Sequence, residues 1–94
     1  MTYKLEFLTE ALKEWKSLDS TTKKQFKKKL AERLDNPLVP SAKLLGAKNR
    51  YKIKLRAAGY RLIYEVLNDE VVVVVIAVGK RERNRVYKIA AKRI

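Results

Sequence analysis

Cationic and apolar residues alternate over positions 50–56, and this alternation constrains the fold more than any other feature of the chain. The stretch reads Arg-Tyr-Lys-Ile-Lys-Leu-Arg, and a β-strand directs successive side chains to opposite faces. One face is apolar and suited to a core: Tyr51, Ile53 and Leu55. The opposite face carries four cations: Arg50, Lys52, Lys54 and Arg56. Because like charges on one short strand repel each other, this face is suited to contact with a polyanion.

A second strand is predicted over 60–67, joined to the basic strand by a short link that ends in glycine. So short a link favours an antiparallel hairpin. The hydrophobic pattern selects the register of this hairpin, because a slip of one residue would bury Arg61 in the core. We therefore predict that Leu55 pairs with Tyr60 and that Lys54 lies opposite Arg61.

The remaining periodicity predicts two more strands and three helices. Residues 2–7 alternate as a half-buried strand does, and residues 71–78 are apolar almost throughout, which predicts a central strand covered on both faces. Helical spacing predicts helices over 10–17, 20–35 and 84–94. The order is β-α-α-β-β-β-α. This is an α+β fold: two N-terminal helices pack on one side of a small, mostly antiparallel sheet, and a short C-terminal helix follows.

Some side chains of the predicted helices and loops are assigned to caps or to the core. The N-caps of the first two helices are assigned to Thr9 and to Ser20 or Thr21. Three apolar residues of the first helix are placed on its inner side, where the tryptophan packs rather than stacking on a base: Leu8, Leu12 and Trp15. In the connection before the basic strand, three leucines are expected to attach the loop to the core: Leu38, Leu44 and Leu45.

The charge of the chain indicates its class of partner. Twenty-three Lys and Arg residues against ten Asp and Glu residues give a net charge of +13 over 94 residues, with a pI near 10.2. Such a chain attracts polyanions: nucleic acid first, then an anionic membrane surface or an acidic protein. The length fits one small domain. The longest apolar run, over 71–78, is far shorter than the roughly 20 residues that span a bilayer, and the N-terminus is unlike a signal peptide. We therefore expect a cytoplasmic protein.

The residue types leave few chemistries open. Histidine and cysteine are absent, which rules out a His-based nuclease site, a cysteine nucleophile and a zinc centre. No pair of carboxylates accompanies the basic strand, which argues against two-metal phosphoryl chemistry, and we expect neither a metal nor another cofactor. The predicted sheet instead brings five polar groups to one concave surface: Lys52, Lys54, Arg61, Arg81 and Tyr87.

Such a surface can cleave RNA by using the RNA's own 2′-hydroxyl against the adjacent phosphate. Clustered lysines have depressed pKa values because a like charge disfavours the charged form, so Lys52 or Lys54 can act as a base. Arg61 and Arg81 can hold phosphate oxygens, and Tyr87 can stack on a base or exchange a proton. The same cations can also bind a phosphate backbone without cutting it, so the residues by themselves leave both activities open.

The chain resembles the RelE-type toxins of bacterial and archaeal toxin–antitoxin systems, which belong to the RelE/ParE superfamily. The resemblance covers essentially the whole chain and is carried by these stretches: Ala11–Trp15 (ALKEW), Tyr51–Arg56 (YKIKLR), Gly59–Tyr64 (GYRLIY), Val78–Arg83 (VGKRER) and Tyr87. It implies a single RelE-like toxin domain over residues 1–94, with a fold similar to that of microbial ribonucleases. Superfamily members that poison DNA gyrase share this fold, but they usually lack the full set of basic residues and the C-terminal tyrosine.

The resemblance further implies the toxin of a type II system: a ribosome-dependent mRNA interferase. Such an endoribonuclease needs no metal, cuts mRNA in the ribosomal A site to leave a 2′,3′-cyclic phosphate, and so inhibits translation. The implied partners are the 70S ribosome, through rRNA and the A-site mRNA, and a cognate RelB-type antitoxin that covers or displaces the C-terminal helix. Operator DNA would be bound only by the toxin–antitoxin complex, and no membrane is involved.

The resemblance also implies individual roles by position in these motifs. Lys52 and Lys54 match the family's catalytic lysines, one of them a general base. Arg61 matches the residue that stabilises the transition state, Arg81 the residue that assists the leaving group, and Tyr87 the residue that stacks on or activates the substrate nucleotide. The remaining cations are expected to contact RNA: Arg50, Arg56, Lys80, Arg83, Lys23, Lys24, Lys27, Lys28 and Arg33.

Two alternative functions remain open at this point. A gyrase-inhibiting toxin of the same fold would need none of Lys52, Arg61 or Arg81. A non-catalytic basic nucleic-acid-binding module would bind with a steep dependence on salt and would leave its RNA intact.

Overall fold

The computed structural model describes residues 2–82 and 85–93. Within these residues four strands and three helices follow in the predicted order: β1 (Lys4–Phe7), α1 (Thr9–Lys16), α2 (Ser20–Asp35), β2 (Arg50–Leu55), β3 (Tyr60–Leu67), β4 (Val72–Lys80) and α3 (Arg85–Lys92). The predicted α+β fold is confirmed. Arg83, expected to contact RNA, and Asn84, expected to cap the last helix, lie outside the described residues.

The four strands in the described part of the chain form one mixed sheet in the order β1-β4-β3-β2. β2 and β3 form the predicted antiparallel hairpin, in which Leu55 pairs with Tyr60 and Lys54 with Arg61. β3 and β4 are also antiparallel, whereas β1 pairs with β4 in parallel. The predicted hairpin register is therefore confirmed, and β2 forms one edge of the sheet.

A bulge in β4 changes which of its residues face each side of the sheet. Ile63 pairs with Ala77, but the next residue of β3, Tyr64, pairs with Val75. Ile76 is therefore the extra residue of the bulged strand. Ile76 and Ala77 both contribute to the core beneath α3, whereas Val75 packs on the side of α1 and α2. Both faces of β4 are buried, as its nearly continuous apolar sequence predicts.

The helices α1 and α2 cover one face of the sheet. Trp15 of α1 packs against the rings of Phe7 and Phe26, with centroid distances of 5.4 and 6.1 Å, which confirms its predicted place beside the core. The prediction for Leu12 was wrong: this side chain is exposed, and Ala11 takes the buried position. Because alanine is small, it allows close approach of α1 to the sheet.

The predicted capping residues are displaced by one position. The N-caps are Leu8 for α1 and Asp19 for α2, and neither makes a side-chain cap hydrogen bond. Both residues have an extended backbone, with ψ of 148° and 163°, so the helices begin at the following residues, Thr9 and Ser20. These hydroxyl residues therefore lie in the first turn, where they cannot act as caps.

One of the three predicted leucines attaches the connection between α2 and β2 to the core, and two other residues replace the remaining leucines. Leu38 and Leu45 are exposed, and of the three leucines Leu44 packs against the core beneath α3. Pro37 and Ala42 are buried instead. The predictions for Leu38 and Leu45 were wrong because an irregular segment has no periodicity that fixes the direction of a side chain.

The helix α3 covers the other face of the sheet. Val86 and Ala90 are buried there with Ile63, and Ile89 packs against the same core, as the spacing of these residues predicts. No helix in the described residues is long and apolar enough to cross a membrane.

Candidate nucleic-acid interface

The hairpin register brings cations together on the face of the sheet that α3 partly covers. Lys54 lies directly opposite Arg61, and Lys52 lies opposite Ile63. Opposite residues of an antiparallel pair have Cβ atoms roughly 4.5–5.5 Å apart. Since Ile63 belongs to the core beneath α3, the half-buried Lys52 stands at the border between that core and solvent. Three of the five predicted catalytic residues are therefore neighbours: Lys52, Lys54 and Arg61.

Arg61 is held in place but keeps hydrogen-bonding capacity. Its residue is only 6% exposed, and its Nη1 donates to the carbonyl oxygen of Tyr60 at 3.1 Å. A guanidinium carries five N–H donors in a fixed fork, and within the described residues this is the one side-chain hydrogen bond that Arg61 makes. The remaining donors can bind an oxyanion beside Lys54.

The positive charge around Lys54 changes its acid–base behaviour. The neighbouring Lys52 ammonium lowers the pKa of Lys54 below the usual 10.5, and desolvation, Arg61 and Arg56 act in the same direction. A like charge disfavours the protonated form, so Lys54 is neutral more often at a given pH than an ordinary lysine. A neutral amine can accept a proton, which makes Lys54 a candidate base.

Arg81 directly follows β4, and Tyr87 belongs to α3. The backbone N–H of Arg81 donates to the carbonyl oxygen of Gly59 at 2.8 Å, which fixes Arg81 beside the turn between β2 and β3. Gly59 has a φ of +71°, a conformation that glycine adopts at little cost. Tyr87 is half-buried and packs against the core beneath α3 that includes Ile63. The fold thus places Arg81 beside the β2–β3 turn and Tyr87 on the helix that partly covers the face carrying Lys52, Lys54 and Arg61.

Arg50 does not join the exposed cations of this face, contrary to the expectation that it contacts RNA. It is 9% exposed and forms an ion pair with Glu65 at 2.9 Å. Its two terminal nitrogens donate to the carbonyl oxygens of Ala90 and Arg93, at 2.6 and 2.7 Å. The C-terminal end of α3 covers this end of the basic strand, so Arg50 fastens α3 to the sheet.

Arg93 extends the attachment of α3 to the rest of the fold. Its guanidinium forms a two-oxygen ion pair with Glu14 of α1, with N–O distances of 2.8 and 3.0 Å, and donates to the carbonyl oxygen of Ile76. The hydrogen bond to Glu14 raises the pKa of Arg93 above its ordinary value. The last turn of α3 is therefore tied to α1, β2 and β4.

Arg33, which is predicted to contact RNA, is half-buried and binds protein acceptors through one of its terminal nitrogens. Its Nη1 donates to the carbonyl oxygen of Lys52 at 3.1 Å and to the Tyr64 hydroxyl at 2.9 Å. That hydroxyl in turn donates to the carbonyl oxygen of Pro37 at 2.7 Å. Burial raises the pKa of Tyr64 above 10, so the hydroxyl keeps its proton. The sequence showed a cation on a helix but not its acceptors.

The other cations predicted to contact RNA differ in their exposure. Lys23 is half-buried, and five are exposed: Lys24, Lys27, Lys28, Arg56 and Lys80. One further residue was missed. Lys29 of α2 belongs to the same lysine run as Lys27 and Lys28, and it lines the same hollow as Lys52 and Lys54. In the described residues, no group of three or more His, Cys, Asp or Glu side chains is placed to hold a metal ion.

Comparison with known proteins assigns the family. The family model described as "ParE toxin of type II toxin-antitoxin system, parDE" matches residues 5–85. The mRNA interferase toxin RelE of Escherichia coli strain K12 is 55% identical over 94 residues, which is 100% of this chain and 99% of the relative. The chain belongs to the RelE family of toxins. The resemblance seen in the sequence motifs is thereby confirmed.

Solved RelE structures share the fold of this chain. An arginine-to-alanine double mutant of E. coli toxin RelE in the free state aligns with a TM-score of 0.92 and 53% identity, covering 100% of this chain and 99% of that one. RelE in the intact E. coli RelBE toxin–antitoxin complex aligns with a TM-score of 0.83 and 54% identity, covering 86% of this chain and 99% of that one. The described residues of this RelE toxin therefore share the fold of the solved RelE structures.

Proposed function

We propose that this RelE toxin is an mRNA interferase that cleaves mRNA in the A site of the 70S ribosome. The observation that carries the proposal is the group Lys52, Lys54 and Arg61, in which neighbouring charges lower the pKa of one lysine beside a buried arginine. The E. coli relative at 55% identity is named an mRNA interferase toxin. Residues 1–94 act as one RelE-like toxin domain in this proposal.

The chemistry begins with the substrate's 2′-hydroxyl. Neutral Lys54 takes its proton while the 2′-oxygen forms a bond to the adjacent phosphorus, and the bond from phosphorus to the 5′-oxygen breaks. Arg61 binds the negative charge that builds up on the phosphorane oxygens, where preorganised donors are most effective. Arg81 stabilises the departing 5′-oxygen, which takes up a proton from water. The products are a 2′,3′-cyclic phosphate and a free 5′-hydroxyl.

The lysines and the tyrosine have separate roles. Lys52 keeps Lys54 partly neutral through its charge and contacts the phosphate. Tyr87 packs against the core beneath α3, and in this proposal its ring stacks on the base next to the reacting phosphate. Because DNA lacks the 2′-hydroxyl, this mechanism selects RNA. No metal is required, since the arginines supply the charge stabilisation that a metal ion gives elsewhere.

The ribosome supplies the positioning that this site lacks. The site has one weak base and no strong acid, so the alignment of the 2′-hydroxyl with the phosphorus must come from elsewhere. Holding the reacting groups in place contributes on the order of 7–11 kcal/mol. We therefore expect efficient cleavage on ribosomes and poor cleavage of free RNA, with lysines of α2 contacting rRNA: Lys23, Lys24, Lys27 and Lys28.

A RelB-type antitoxin is the proposed partner that neutralises the toxin. The E. coli relative has been solved in an intact RelBE toxin–antitoxin complex, and the present fold matches it over most of the chain. The antitoxin is proposed to cover or displace α3, which carries Tyr87. The toxin–antitoxin complex binds its operator DNA mainly through the antitoxin.

Primer extension on a defined mRNA tests this function, with and without 70S ribosomes that carry an empty A site. Wild type is compared with Arg81→Ala, Tyr87→Phe and the control Lys4→Ala, an exposed cation on β1 at the opposite edge of the sheet. We expect a cut inside the A-site codon only with ribosomes, weakened in the first two variants and unchanged in the control. Intact mRNA throughout would contradict the proposal, and supercoiling by DNA gyrase would then be assayed.

A further inference from the structure

A cationic groove runs along the outer edge of β2, where this strand faces the C-terminal half of α2. It consists of two adjoining hollows, of ≈ 550 and ≈ 360 Å³, which share Lys29, Lys54 and Arg56 in their walls. β2 is an edge strand of the described sheet, and on this side Ser41 and Ala42, from the connection before β2, line the second hollow. Through Lys54, the groove opens directly onto the basic face of the hairpin.

The charges along the groove are nearly all positive. One carboxylate, Glu32, lines it together with six cations: Lys28, Lys29, Arg33, Lys52, Lys54 and Arg56. Across the described residues, the ion pairs within 4.0 Å involve Arg50 and Arg93 and none of these six cations. Five of the six are free to bind an external anion, since Arg33 is held by protein acceptors.

Arg33 makes the floor of the groove rigid. It bridges from α2 to the Lys52 carbonyl oxygen and the Tyr64 hydroxyl, which fixes the distance between the helix and the edge strand. The exposed Lys29 and Arg56 stand on either side of this floor. A preformed groove of fixed width costs less ordering on binding than a pair of flexible segments.

The lining favours a phosphate backbone over a polypeptide. The exposed large apolar side chains, which an amphipathic peptide would need, are Leu5, Leu12, Leu38 and Leu45 in the described part of the chain, and none of them lines the groove. Nor does an aromatic side chain line it, so bases have no stacking platform there. What remains is a row of cations, which is the chemistry that binds consecutive phosphates without regard to base sequence.

We propose that the groove between α2 and β2 binds the sugar–phosphate backbone of the mRNA strand that adjoins the scissile phosphate. Lys54 lies in both the groove and the reacting group, so a strand held at Lys54 continues into the groove with its phosphates on Lys29 and Arg56. This inference rests on the proposed function, since it takes the reacting group as the place where the strand is cut.

Binding of an uncleavable RNA tests the groove apart from cleavage. The probe is a fluorescein-labelled 2′-O-methyl RNA nonamer, with fluorescence anisotropy measured over a range of salt. Loss of one phosphate contact is expected to weaken binding about fivefold at 0.1 M salt and to reduce the slope of log K against log salt by about 0.7. We expect both effects for Lys29→Ala and for Arg56→Ala and neither for Lys4→Ala, because Lys4 lies on the opposite edge strand.

A double-mutant cycle, which combines Lys29→Ala with uncharged linkages in the RNA, shows whether Lys29 contacts this RNA strand. Replacing two phosphates beside the central linkage by methylphosphonates, on the 5′ or the 3′ side, should weaken wild-type binding on one of the two sides. On that side Lys29→Ala should cause no further loss, because a contact removed from one partner cannot be lost again from the other. Independent losses on both sides would overturn the inference and point to another RNA, such as rRNA, as the partner of Lys29.

The remaining outcomes separate this inference from the proposed function. In one outcome, wild type cuts A-site mRNA while Lys29→Ala and Arg56→Ala bind the nonamer as tightly as Lys4→Ala does. In that case the groove is not an RNA site, but the proposed mRNA cleavage is supported. If the cycle shows coupling but no mRNA is cut, the groove binds RNA and the proposed cleavage fails. If the two substitutions weaken binding of a poly-glutamate peptide of equal charge but not of the nonamer, an acidic polypeptide is the occupant.

Discussion

Arg33 of α2 donates a hydrogen bond to the backbone carbonyl oxygen of Lys52, across a distance of 3.1 Å. The same nitrogen donates to the hydroxyl of the fully buried Tyr64, and the Arg33 guanidinium lies over the Tyr64 ring at 5.8 Å. Tyr64 itself stacks on Tyr51 of the basic strand, with centroids 5.6 Å apart. A helix that carries many lysines is thus fastened to the edge strand at one of the residues proposed to act on RNA.

Substituting Arg33 by alanine should lower the free energy of unfolding by about 1–3 kcal/mol, because it leaves the Tyr64 hydroxyl with one partner fewer in a buried place. Lys29→Ala is the matched control, since it removes a cation from an exposed position one turn earlier on α2. Its effect should stay within about 0.5 kcal/mol. Urea unfolding followed by circular dichroism measures both. Equal effects of the two substitutions would mean that the Arg33 contacts add nothing to stability.

Substituting Lys52 by methionine should raise the pKa of Lys54 toward 10.5. Lys52 is the largest cause of the lowered value, and removing a like charge favours the protonated form of its neighbour. NMR titration of the lysine ¹³Cε signals follows the change without reference to activity. Lys80→Met is the control, because Lys80 lies opposite Tyr60 and is not among the causes of the shift. A Lys54 pKa that stays equally lowered in Lys52→Met would show that desolvation and the charges of Arg61 and Arg56, rather than the charge of Lys52, set it.

Substituting Arg50 by methionine should lower the free energy of unfolding by about 3 kcal/mol, since it leaves Glu65 unpaired at a mostly buried ion pair. It also removes two hydrogen bonds to the C-terminal end of α3. Relative to wild type, hydrogen–deuterium exchange should therefore accelerate more at the backbone amides of α3 than at those of β3. Arg85→Met, an exposed cation on α3, serves as control. Uniformly faster exchange in all elements would mean that Arg50 stabilises the whole fold and not α3 in particular.

Substituting Val71 by glycine should raise the free energy of unfolding by about 0.5–1 kcal/mol. Val71 has a φ of 56° and a ψ of 46°, a left-handed conformation that costs a residue with a Cβ roughly 1–2 kcal/mol. The greater freedom of glycine in the unfolded chain offsets part of the gain. Val72→Gly is the contrasting control, because Val72 is buried in β4 and its loss should destabilise. Thermal melts decide between these signs, and a destabilised Val71→Gly would contradict the predicted relief of strain.

The hairpin was predictable because charged and apolar residues alternate along β2, and this alternation allows a single register. Lys54 opposite Arg61 follows from the fact that a slip of one residue would exchange the charged and apolar faces. The bulge at Ile76 was not predictable, since the eight consecutive apolar residues before Gly79 offer no alternation that shows where the face changes. The two exposed leucines of the loop, Leu38 and Leu45, were misplaced for the same reason.

The sequence predicted which residues share a face of the candidate site, but not which of them other elements cover. Alternation places Arg50 and Lys52 on one face of the same strand, and the predicted sheet and last helix bring Arg81 and Tyr87 to that face. Whether a residue on that face is free depends on which element covers it, and the end of α3 covers Arg50. The position of Lys29 in the groove depends on how α2 lies beside β2, which no spacing along either element encodes.

The parallel pairing of β1 with β4 has a consequence for the order in which the chain acquires its structure. Lys4 pairs with Val72, so β1 cannot join the sheet until a strand that is distant in the sequence has been synthesised. Contacts of such large separation form late, whereas a hairpin such as that of β2 and β3 closes locally and early. During synthesis the basic hairpin therefore precedes the sheet that supports it. A chain still short of β4 carries the cations without the packed core that holds them in place.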